Sequence, residues 1–121
     1  MTREDVLAEI RETRPNEYAD DWLIRLVDEL EQRILTELMA GYIVPAREAQ
    51  VTPDGIRRAL VANAPYSRIY YYWLLVHIDQ ANGEYDRYNN DLQLFNAAWD
   101  EYAKHISRTF RRERESVYRV W

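Results

Sequence analysis

Two histidines and a scatter of carboxylates are the side chains of this sequence best suited to chemistry. His77 lies one helical turn after Trp73, and His105 one turn after Glu101. The Glu101-x-x-x-His105 spacing differs from the Glu-x-x-His of carboxylate-bridged di-metal bundles, and those need a second copy that is absent here. Both histidines therefore read as partly exposed or core-edge side chains. Glu9 and Glu12 share one helical face, and Asp28, Glu31 and Glu37 can join Asp20 or Asp21 on another. Paired helical carboxylates can hold magnesium for hydrolysis of nucleoside triphosphates. That chemistry needs two pairs converging across a bundle, and only Glu9 and Glu12 have the spacing. An ordinary solvated face explains the acids better.

A denser cluster runs from Asp79 to Asp91 and includes Asn82, Glu84, Asp86, Arg87, Asn89 and Asn90. As catalytic machinery it would use Asp79 or Glu84 as a base with Arg87 nearby. No nucleophile or phosphate-binding loop accompanies it. The sequence holds no HExxH, GxxxxGK, GxGxxG or GxSxG, and no cysteine. The preferred reading is a structural junction made by Asp79, Asn82, Gly83, Glu84, Arg87 and Asn89. In it Asp79 and Arg87 bridge a hairpin, while Asn82 and Glu84 satisfy free backbone amides. No catalytic, cofactor-binding or metal-ligating residue is assigned.

These groups must be positioned by helices. Thr2-Arg3-Glu4-Asp5 has the form of a capping box, followed by Val6, Leu7 and Ile10 on one face. Arg14-Pro15 ends that helix. Asp20 or Asp21 is expected to cap a second helix, with Trp22, Leu23, Leu26, Val27, Leu30, Ile34, Leu38 and Met39 as its stripe and Gly41 as its stop. Tyr42 to Val44 reads as a short extended segment. Pro53 to Ala62 reads as a short helix, or else as a turn at Pro53-Asp54-Gly55 with Ala59-Leu60-Val61 extended. Pro65 opens a third helix that is nearly apolar all round from Ile69 to Val76, so either the rest of the chain or a neighbouring subunit must wrap it. After the break at Asn82-Gly83, Tyr85, Tyr88, Leu92, Phe95, Trp99, Tyr102 and Ile106 alternate steps of three and four, a sustained seam. The helix is read as continuing through Phe110 into the basic tail. The expected fold is all-α: a small bundle with a long antiparallel hairpin, about 66–82 and 84–110.

A chain of 121 residues, 47% hydrophobic and 31% charged, supports one core. No apolar run approaches a membrane span, and the N-terminus lacks a signal-peptide core. Net charge is −5, unevenly spread. Residues 1–50 hold 12 acidic and 6 basic side chains, residues 51–107 hold 7 and 5, and residues 108–121 hold 2 and 5. The acidic body argues against a dedicated nucleic-acid binder. The ten tyrosines and four tryptophans concentrate on the hairpin without basic interleaving, which favours core and subunit interface over base stacking.

The segment HIDQANGEYDRYNNDLQLFNAAWDEY, His77 to Tyr102, carries an IDxxNGExxRYNN core followed by LFNAAW. With MTREDVLAEIRE, RPNEY, DDWLIRLVDELEQRI and APYSRIYYYWLL, it resembles the head–tail connector (adaptor) proteins of tailed phages and prophages of Gram-positive bacteria. The likeness covers both ends of residues 1–107 and is thinnest over 42–63. It implies a non-enzymatic virion protein without cofactors. Such a subunit forms a homo-oligomeric ring at the head–tail junction and is made in the host cytoplasm. Its partners would be its own copies, the portal protein, a downstream neck protein and DNA passing through without sequence-specific binding. In this reading residues 1–107 are the connector-like domain and 108–121 a basic tail, either a helix extension or a segment that orders on assembly. Tyr42, Arg57, Arg58, Tyr71, Arg108, Arg111, Arg112, Arg114, Tyr118 and Trp121 are the expected partner or subunit contacts. The alternatives are a small helical adaptor or regulator acting through dimerisation, and a magnesium-dependent helical pyrophosphatase.

Overall fold

In the computed structural model, residues 1–44 and 59–112 are described. They form a small all-α bundle of four helices: α1 (Arg3–Thr13), α2 (Asp20–Arg33), α3 (Arg68–Asn82) and α4 (Tyr85–Thr109). The strands β1 (Tyr42–Ile43) and β2 (Arg111–Arg112) pair antiparallel, Tyr42 with Arg112 and Ile43 with Arg111.

The helices run up, down, up, down. Glu9 meets Arg68, Thr13 meets Tyr71 and Arg14 meets Asp79, so α1 runs with α3. Tyr18 meets Asn82, Leu26 meets Trp73 and Glu31 meets Tyr70, so α2 runs against it. Only Gly83 and Glu84 separate α3 from α4. α3 packs against each of the other three helices, whereas α4 packs mainly against α3. That central place explains its composition. Ile69, Tyr70, Trp73, Leu74, Leu75, Val76 and Ile78 are buried, and Tyr71 and Tyr72 are half-buried. The chain itself wraps this helix, which settles the alternative left open above.

Local chemistry sets the ends. The Thr2 hydroxyl accepts from the Asp5 amide, and the Asp5 carboxylate accepts from the Thr2 amide, closing the expected box. Gly41 and Gly83 take φ of 83° and 72°, the left-handed conformation that lets a helix stop. Neither aspartate caps α2. Ala19 stands at its N-cap without a side-chain bond, and Asp20 and Asp21 sit in the first turn, where negative charge meets the positive end of the helix dipole. The stripe after Arg33 continues as a turn of π-helix, Ile34–Leu38.

Four expectations are corrected. Pro65 does not begin α3: the Ala64–Pro65 bond is cis, the chain turns, and Arg68 is the first helical residue. Ala59 to Ala62 are not helical, because their amides have other partners. Leu60 donates to the Met1 carbonyl, Val61 to Glu31 and Ala62 to the Tyr70 hydroxyl. The remainder of that expected helix, 53–58, lies outside the described residues. α4 ends at Thr109, with Phe110 extended at φ −106° and ψ 149°, because Arg111 and Arg112 pair with β1 and Phe110 turns back onto the core. The seam also begins later than expected. Tyr85 is 68% exposed, Tyr88, Leu92 and Trp99 are half-buried, and Phe95, Tyr102 and Ile106 carry the burial. Among the described residues no helix is long and apolar enough to cross a membrane.

Candidate functional site

The expected junction lies at the turn between α3 and α4, but its bonds differ from those expected. Asp79 is fully buried on the last turn of α3. Its partner is Arg14, just beyond α1, which bonds Asp79 Oδ1. The same guanidinium reaches Asp91 on α4, with Nη2 3.6 Å from Oδ2. Arg87 does not bridge the hairpin, because Asp79 faces inward while Arg87 faces solvent; it pairs with Glu84 at 3.1 Å. Asn82 does not cap a backbone amide: its Oδ1 accepts from the Tyr18 hydroxyl at 2.6 Å. Glu84 stands at the N-cap of α4 with no side-chain capping bond. Asn89 is exposed. Burial, followed by the neighbouring Asp91 carboxyl, raises the Asp79 carboxyl to about 7, and Arg14 opposes this.

A second buried polar group ties the other end together. Glu31 accepts from the Tyr70 hydroxyl at 2.6 Å and from the Val61 amide at 3.0 Å. Burial raises its pKa, and those two bonds hold the rise back. The hydroxyls of Tyr70 and Tyr102 are raised as well, chiefly by burial and then by the Glu31 charge. Beside this network lies a cavity of about 310 Å³ lined by Met39, Val61, Tyr66, Tyr102, His105 and Phe110, among others. His105 stacks on Tyr66 with ring centroids 4.5 Å apart, and His77 sits edge-on to Trp73 at 4.4 Å. Burial lowers the His77 pKa.

Neither group carries the parts of a catalytic centre. Asp79 is bonded to Arg14, and Glu31 to a phenol and a backbone amide, while Asp91 lies 3.6 Å from the same guanidinium. No cluster of three or more His, Asp or Glu able to hold a metal forms there. Glu9, half of the expected carboxylate pair, is taken by Arg68 at 3.1 Å.

The expected contact residues are dispersed. Tyr42 is half-buried with Arg112 over its ring at 5.5 Å, so β1 and β2 bring these two together. Arg108 and Arg111 are exposed beside them, at the end of the bundle away from the hairpin turn. Tyr71 lies apart on α3, its ring under Arg68 at 4.9 Å and its hydroxyl donating to Thr13. Arg57, Arg58, Arg114, Tyr118 and Trp121 lie outside the described residues.

Reading the sequence missed Arg14, Asp91, Glu31 and Tyr70 as a set. The signal was there: Asp79, Asp91 and Glu31 are carboxylates lying within apolar stripes, Glu31 between Leu30 and Ile34. A charge inside a stripe implies a buried partner. Compared with protein-family models, curated proteins and solved structures, the chain matches none.

Proposed function

We propose that the chain is a structural subunit of the head–tail junction of a tailed bacteriophage or prophage. Copies form a ring between portal and tail, and DNA passes through it. The sequence resemblance supports this reading, and its most specific segment, His77 to Tyr102, makes the end of α3, the turn and most of α4.

The observation that carries it is the one-sided packing of α4. This 25-residue helix leans on α3 and leaves its outer face to solvent, with Leu94 43% exposed and Tyr85 68% exposed. The middle of that face is neutral (Asn89, Asn90, Gln93, Asn96, Ala97), with charged side chains towards either end of the helix. Such a surface suits contact with like subunits better than capture of phosphate. In this reading the exposed Arg108, Arg111 and Arg112 meet an acidic surface on the portal or a neighbouring copy, with Tyr42 beside them and Arg57, Arg58, Arg114, Tyr118 and Trp121 as further contacts. The role is assembly rather than catalysis, with the host cytoplasm as the place of assembly and the virion as the destination.

Two measurements test it. Concentrated protein viewed by negative-stain electron microscopy is expected to form closed rings. Immobilised portal protein from the same virus or prophage is expected to retain the chain. A species that stays monomeric at its highest soluble concentration and ignores the portal would refute the proposal.

A further inference from the structure

Arg14 brings one positive charge to a place where two carboxylates lie, and both carboxylates are buried. With Asp79 and Asp91 both ionised, the cluster would hold a net negative charge out of water. Buried charge is tolerated when it is balanced and fully bonded. This cluster would be neither.

The bonding leads to the same point. Asp79 Oδ1 accepts from Arg14, while the approach of Arg14 to Asp91 Oδ2 is too long for a hydrogen bond. Asp79 Oδ2 and Asp91 Oδ2 are left buried with no donor. Arg14 touches both, so the two carboxyls lie side by side around one guanidinium. An ionised carboxylate only accepts, whereas a protonated carboxyl has one O–H to give. A proton on one of the two oxygens supplies a donor and leaves an acceptor opposite. It satisfies both orphans at once and brings the cluster to neutrality.

We propose that Asp79 and Asp91 hold a single proton between them in the folded protein, as a carboxyl–carboxylate pair clamped by Arg14. The ligand of this site is the proton itself. Releasing it restores a net negative charge and two unbonded oxygens where the exit of α1, the last turn of α3 and the second turn of α4 meet. The clasp that pins α1 to the hairpin is thereby tied to pH.

Burial and the neighbouring carboxyl both raise Asp79, and among the described residues Arg14 is the opposing charge that acts on it. Glu84 and Arg87, close by in the turn, pair with each other in solvent. The unfolded chain keeps the ordinary carboxyl value of about 4. Between that value and the raised one, the folded state binds a proton that the unfolded state lacks. The stability contributed by the pair is full below the ordinary range and is lost as pH rises through the raised value. Glu31 is also raised, and a lowered His77 acts in the opposite sense. A bulk stability curve mixes all three, so the test must read single carboxyls.

Carbon-detected NMR of the full chain, following the side-chain carboxyl carbons of Asp79 and Asp91 with pH, supplies that reading. The expected result is one proton retained well above the ordinary range, its release reported by both carbons at a common midpoint. Asp91→Asn keeps the shape and offers Asp79 Oδ2 an N–H donor, so Asp79 should fall by about 2 pH units, with burial holding it above the ordinary value. Loss of both protons near the ordinary carboxyl value in the wild type overturns the proposal. So does a raised Asp79 to which the Asp91 carbon does not respond, since burial alone would then hold the proton. An Asp79 as high in Asp91→Asn as in the wild type overturns it as well. If that variant fails to fold, the wild-type titration decides alone.

Discussion

The Tyr70 hydroxyl donates to Glu31 and accepts from the Ala62 amide, in a place sealed from water. Removing it leaves a buried carboxylate oxygen one bond short and a buried amide without an acceptor. Tyr70→Phe should therefore lower unfolding free energy by about 2–4 kcal/mol in urea titrations, the cost of stranding two buried polar groups. The Tyr102 hydroxyl lies 3.5 Å from the Val61 carbonyl, too long to matter much, so Tyr102→Phe should cost no more than about 0.5 kcal/mol. Equal losses in the two variants would mean that ring packing, not the hydroxyl, is what counts. Glu31 adds a pH signature. Because burial raises its folded pKa, its contribution is full at acidic pH and declines as pH rises through the raised value. Glu31→Gln should flatten the stability profile over that interval.

At the level of elements, Gly83 ends α3 at φ 72°, and a side chain there would meet nothing within 4 Å. The cost of Gly83→Ala is therefore backbone strain alone, about 1 kcal/mol, measurable as a lowered thermal midpoint. The chain end makes a sharper case. Phe110 packs on the core and β2 pairs with β1, so stabilising contacts continue beyond α4 as far as Arg112 at least. A chain stopped after Ser107 should melt clearly lower than one stopped after Arg112. Equal melting of the two would remove β2 and Phe110 from the stabilising structure. This boundary also marks how far the sequence was legible. Helical spacing with strong apolar periodicity gave the four helices, the Thr2 box and the Gly83 break, because those signals are local. The end of α4 and the backbone of 59–62 are set by distant partners, β1, Glu31 and Tyr70, which no local pattern displays. The junction shows the same division. Its position was readable from Asn82-Gly83, but its true partner, Arg14, is far away in the chain.

For the molecule as a whole, the proposed ring and the observed packing place opposite demands on two leucines. Leu74 is fully buried in α3, and Leu74→Ala should cost about 3 kcal/mol in a denaturant titration. Leu94 sits on the open face of α4, so Leu94→Glu should leave the monomer's stability within about 0.5 kcal/mol of wild type. If that face joins copies, the same change should abolish rings under the microscope. Rings that persist would send the subunit contact elsewhere. The central position of α3 carries one more consequence, in the time domain. Its amides near Leu74 are shielded by a helix on three sides, so they should exchange with deuterium only when the whole molecule opens. α1, held to the rest by a short apolar face and a few ion pairs, should exchange sooner through partial opening. The protein would then breathe at its margin while its axis stays shut.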